Sequence, residues 1–173
     1  ELIEYLWSKY YPFADPHFLP EFKTEYYSRF WEMYLTVTLM DKGFQLSSMD
    51  SGPDIVINSE PPIYIEAVMP TGGVSVDAVK KPEPMVVVQV PEDKIILRFT
   101  HAIHEKHKQY KKWVKGGIVN KQTPFIIAVN GYSVPFTITD HELPLICKAI
   151  YPIGKEYFTF DINTQELIDQ GYN

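Results

Sequence analysis

With a single cysteine, Cys147, this chain cannot form an internal disulfide and has no Cys/His zinc pattern. That suits a reducing compartment; a cytoplasmic location is expected, with Cys147 as an apolar filler. Long apolar runs are missing too: nothing approaches the roughly 18 consecutive residues of a membrane span, and no basic-then-apolar leader precedes a small-residue cleavage site. No membrane partner is expected. Internal repeats and low-complexity tracts are absent. Positive charge is scarce overall, and a formal net charge of −6 argues against general coating of nucleic acid. Residue 1 is Glu rather than Met, so a trimmed chain or a domain of a longer protein is expected.

What is present suffices for a core. Across 173 residues, 45% are hydrophobic and 22% charged, which fits one globular domain with a small extension. A short helix is predicted over 1–11, ended by Pro12, Pro16 and Pro20. Phe30, Met33, Tyr34, Val37 and Met40 recur at helical spacing, predicting a first long helix over 23–42 with Gly43 as its stop. A short strand over 44–46 follows. Two more strands, 54–58 and 63–68, are joined by Ser59-Glu60-Pro61-Pro62 and should pair antiparallel. Residues 70–93 read as an irregular substrate-side loop, within which 86–90 forms a strand or a covering flap. A second long helix is predicted from an N-cap at Thr100 to Lys115, stopped by Gly116-Gly117. Then come a buried strand over 125–129, an alternating stretch at 136–139, a short helix near 141–150 and a last strand over 157–160.

Within these patterns Asp54 and Glu66 stand out, because each belongs to a short β-patterned apolar run. An ionised carboxylate there needs a partner, and a metal ion is one. If Ile57 pairs with Ile63, Asp54 falls opposite Glu66 on one face, with Cβ atoms about 5 Å apart. A slip of one residue would separate them. Gly-Pro-Asp is also a common strand entry, so turn chemistry is the alternative for Asp54. Glu32 groups by helical direction with Glu25, Ser28, Arg29 and Thr36, the look of a solvent face.

The order helix, strand, strand, strand, helix, strand, with Pro53-Asp54 and Glu66-Ala67-Val68 on the second and third strands, resembles the PD-(D/E)XK nuclease superfamily. The resemblance covers about 23–130. It implies an α/β (α+β) fold in which a central mixed sheet is flanked by helices, a restriction-endonuclease-like core of order αβββαβ. The whole of 1–173 would be one nuclease-like domain, with 131–173 an extension packing on it. It further implies a hydrolase in which Asp54 and Glu66 bind Mg²⁺ (or Mn²⁺), with Glu32 as an accessory carboxylate; the substrate would be nucleic acid, DNA ahead of RNA. A homodimer or larger assembly is compatible with it.

This chain departs from the family at Val68, where a strand lysine is usual. Related nucleases recruit that lysine from the following helix, which directs attention to the second long helix. There Ala102, Ile103, Tyr110, Trp113 and Val114 define an apolar arc with Lys106 in its middle. Lys106 is therefore the expected catalytic lysine, the alternative being a residue that snorkels over the helix edge. Gln109, at the rim of the arc, and Lys108 and Lys112 are the expected substrate contacts, although Lys108, Lys111, Lys112 and Lys115 point away from Lys106. His101, His104 and His107 are spread around and along the helix and cannot all converge on one ion. Two rivals stand beside the enzyme: an inactive nuclease-fold module that binds nucleic acid or protein, and an interaction domain that uses the 70–93 loop.

Overall fold

The computed structural model describes residues 1–139, 143–151, 153–154 and 156–172. Among them are five α-helices: α1 (Leu2–Tyr10), α2 (Phe18–Thr24), α3 (Tyr26–Asp41), α4 (Glu92–Lys115) and α5 (Leu145–Ile150). The strands are β1 (Leu46–Ser47), β2 (Ile55–Ile57), β3 (Ile63–Val68), β4 (Phe125–Val129), β5 (Glu156–Phe160) and β6 (Leu167–Tyr172). A four-stranded mixed sheet runs in the order β1-β2-β3-β4, antiparallel as far as β3 and parallel between β3 and β4. The parallel step requires a long crossover, which contains α4.

Two helices cover this sheet. Ile55, Ile57 and Ile65 pack with Leu35 and Leu39 of α3, while Glu66, the next position along β3, meets Lys106 of α4. Alternation along a strand therefore puts α3 and α4 on opposite faces. A second core, Leu6, Tyr10, Phe18, Met33 and Val37, fastens α1 and α2 to α3. A third joins Ile95 and Phe99 of α4 to Val79, Val134 and Leu145, and so ties α5 to the body.

Several boundaries differ from the sequence reading. The segment 23–42 is divided by Glu25, at φ −123° and ψ 43°, into the end of α2 and the whole of α3. Pro20 does not break the chain. It lies in the first turn of α2, where a missing N–H costs no intrahelical bond. Gly43 ends α3 as expected, at a left-handed φ of +89°. The second long helix starts at Glu92, eight residues before Thr100. Thr100 is interior, its hydroxyl donating to the Ile96 carbonyl at 2.9 Å, and Glu92 and Asp93 supply the negative charge that favours a helix N-terminus.

Residues 86–90 form neither strand nor helix and are exposed, Val87 fully. β4 is an edge strand and only partly buried, Ile126 being 45% exposed. The alternating stretch at 136–139 contains a single 3-10 turn, Thr137–Thr139. The short helix is confined to α5; the start expected near His141 lies outside the described residues. The last predicted strand has an unpredicted partner, β6, and the resulting hairpin is mostly exposed.

Candidate active site

Ile57 pairs with Ile63, and Ile55 with Ile65. One step further along that register, Asp54 stands opposite Glu66. The carboxylates are interlocked through the backbone: the Ala67 N–H donates to Asp54 Oδ2 at 2.8 Å, and the Asp54 N–H donates to Glu66 Oε2 at 3.3 Å. Each side chain thus continues the ladder where β2 has ended, which explains how Pro53-Asp54 can enter the strand without losing its polar partners.

From α4, Lys106 Nζ donates to Glu66 Oε1 at 2.6 Å. Glu66 retains 5% of its side-chain exposure and Lys106 retains 29%, so the ammonium joins a buried carboxylate to the solvent edge. On that helix Tyr110 and Trp113 rest against Phe125 of β4, which holds the α4 arc, with Lys106 at its centre, over the sheet. Val68 leaves the strand without a lysine. Gln109 is half-buried on α4, one turn beyond Lys106.

Glu32 corrects the expectation of a solvent face. Its side chain is 12% exposed, with Oε1 accepting from the Tyr10 hydroxyl at 2.6 Å and Oε2 from Arg29 at 2.7 Å. Arg29, also counted on that face, is 19% exposed and bridges Glu32, Glu21 and Asp15. Burial works against the Arg29 charge, but Glu21 and Glu32 beside it hold its pKa above the ordinary value. Burial, reinforced by Glu32, likewise raises the Tyr10 hydroxyl, which stays protonated and donates. Asp15, Glu21, Arg29, Glu32, Asp50 and Asp54 line one open cleft of about 530 Å³. The Tyr10–Glu32–Arg29 network was missed in the sequence; its one local sign was the i,i+3 spacing of Arg29 and Glu32.

Burial raises the Asp54 carboxyl to about 7, with the charges of Glu66 and Glu32 adding to the effect and Lys106 opposing it. Glu66 is also raised, because burial outweighs Lys106. Desolvation beside a second carboxylate makes the Asp54 carboxyl favour its proton, which a bound cation would displace. The donor set suits a small hard cation, since Mg²⁺ commonly takes one or two protein carboxylates and completes its shell with water and substrate phosphate. Among the described residues no group of three or more His, Cys, Asp or Glu side chains is placed to hold a metal ion.

Lys108 and Lys112 are exposed, and Lys108 pairs with Glu105 at 2.9 Å. At about 100° per residue they lie on the far side of α4 from Lys106 and do not join the cleft. His101, His104 and His107 are exposed, and none approaches Asp54 or Glu66 within hydrogen-bonding distance. Comparison with family models, with curated proteins and with solved structures finds no match for this chain.

Proposed function

We propose that the protein is a metal-dependent nuclease that hydrolyses phosphodiester bonds in nucleic acid, DNA ahead of RNA, on a restriction-endonuclease-like αβββαβ core. The observation that carries this reading is the meeting of Asp54, Glu66 and Lys106 from three separate elements, with Lys106 standing in for the lysine that Val68 displaces. The succession α3, β1, β2, β3, α4, β4 supports the core assignment. Asp54 and Glu66 would hold Mg²⁺ or Mn²⁺. Such an ion neutralises phosphate charge and lowers the pKa of water.

The protein's own groups then have separate tasks. Asp54 and Glu66 present oxygens at fixed positions, because backbone N–H groups anchor both carboxylates. Lys106 supplies a fixed positive charge beside the reacting phosphate, where it stabilises the developing negative charge. Glu32, held by Tyr10 and Arg29, adds its charge beside Asp54 and is a positioning residue.

The test is incubation of the purified chain with DNA and RNA in Mg²⁺ or Mn²⁺. Cleavage lost in Asp54→Ala and Glu66→Ala is expected; no cleavage of either polymer overturns the assignment. One observation favours a second reading, an inactive binding module: Lys106 gives the buried Glu66 carboxylate a partner of its own at 2.6 Å. Calorimetric titration with Mn²⁺ separates the two, since only the enzyme requires binding that depends on Asp54 and Glu66.

A further inference from the structure

The outer face of α4 carries a run of basic residues that the cleft does not use. His101, His104, Lys108, Lys111, Lys112 and Lys115 are all exposed. At about 100° per residue they fall on one side of the helix, opposite Lys106, along about 21 Å of its length. Glu105, paired with Lys108, is the one acidic residue between His101 and Lys115. Lys111, Lys112 and Lys115 have no acidic partner among the described residues. Helix-dipole stabilisation explains Lys112 and Lys115 in the last turn, but not Lys108 or Lys111. Neighbouring lysines three and four apart repel one another and weaken the helix. The stripe lies on a chain of net charge −6, and Asp15, Glu21, Glu32, Asp50 and Asp54 line the cleft with Arg29.

We infer that this face of α4 is a docking surface for the phosphate backbone of duplex DNA, separate from the cleft. With five acidic residues and one arginine the cleft disfavours phosphate in the absence of a cation, so metal-free capture of a polyanion falls to the basic stripe along α4. A straight row of mobile ammonium groups matches regularly spaced phosphates and reads no sequence. The choice of polymer rests on the nuclease reading; the surface itself does not.

The test is fluorescence anisotropy with a fluorescein-labelled 30-base-pair duplex of arbitrary sequence, in EDTA and at low salt. The wild-type chain is expected to bind, and Lys111→Glu/Lys112→Glu to weaken binding at least tenfold while lowering the salt slope by about 2. Lys23→Glu/Lys42→Glu, with the same change in net charge at exposed positions elsewhere, is expected to change affinity less than threefold. Absence of wild-type binding, or equal losses in the two double variants, overturns the proposal. So does tighter binding to polyglutamate or to phosphatidylserine vesicles than to the duplex. Duplex binding in EDTA that is followed by no cleavage once Mg²⁺ or Mn²⁺ is supplied defeats only the nuclease reading. Cleavage that is indifferent to Lys111→Glu/Lys112→Glu, with unchanged affinity, defeats only this one.

Discussion

Lys106 and Glu66 are 40 residues apart in sequence and 2.6 Å apart in space, the ammonium of α4 on the buried carboxylate of β3. Removing the lysine therefore has two effects. Lys106→Met should cost about 1–3 kcal/mol in urea unfolding, because Glu66 loses a charged hydrogen bond, and should reduce cleavage at least a hundredfold. Val68 occupies the alternative position on the same strand face, so Val68→Lys in the Lys106→Met background should restore part of the activity. Full activity in Lys106→Met alone would remove this residue from the chemistry.

The raised Asp54 and Glu66 carboxyls set a pH dependence of defined sign. A folded pKa of about 7 against an ordinary 3.8 means that the metal-free fold binds the proton more tightly than the unfolded chain does. This contribution to stability is complete below about pH 4 and is lost as the pH rises through 7. Asp54→Asn should therefore unfold like the wild type at pH 4 and be the more stable protein at pH 8, by a few kcal/mol. A difference that does not vary with pH would refute the assignment.

Proton displacement links the same groups to the cation. Apparent Mn²⁺ affinity should rise at least tenfold between pH 6 and pH 8, with proton release that depends on buffer ionisation enthalpy in calorimetry. Affinity that is flat across this range would mean that Asp54 is not a ligand.

Tyr10 and Arg29 hold Glu32 from two different elements. Tyr10→Phe should cost about 1–2 kcal/mol in chemical denaturation, and Arg29→Met more, because it strands Asp15, Glu21 and Glu32 in one cleft. Equal stability of Arg29→Met and wild type would show that the network carries no weight in the fold.

Residues 80–90 are exposed throughout and contain no strand or helix. Trypsin should cut first after Lys80, leaving the helical circular dichroism signal intact. Early cleavage inside α4 instead would show that this helix is the weaker element.

The hairpin register was legible because the loop of Ser59 to Pro62 joins two short apolar runs in which Ile57 and Ile63 face each other, and Asp54 and Glu66 follow from it. Lys106 could be found for a similar reason: a lysine in the middle of an apolar arc needs an acidic partner. Glu32 and Arg29 were misplaced because helical periodicity describes one helix alone. The buried side of that face is created by α1 and α2, whose aromatic packing, Phe18 on Trp7 and Tyr10, has no periodic signature. The start of α4 was hidden in the same way, since Ile95 and Phe99 are buried by Val79, Val134 and Leu145 from distant parts of the chain.

α4 is one uninterrupted rod. Its first turns are clamped by Ile95 and Phe99 in the core shared with α5, its last by buried Trp113 against Phe125, and Lys106 projects between them, about 10–16 Å along the axis from the first clamp. A rod seated at both ends shifts between them when one seat changes, so substitutions at Leu145, in the first seat and not in the cleft, will register as a displaced ammonium.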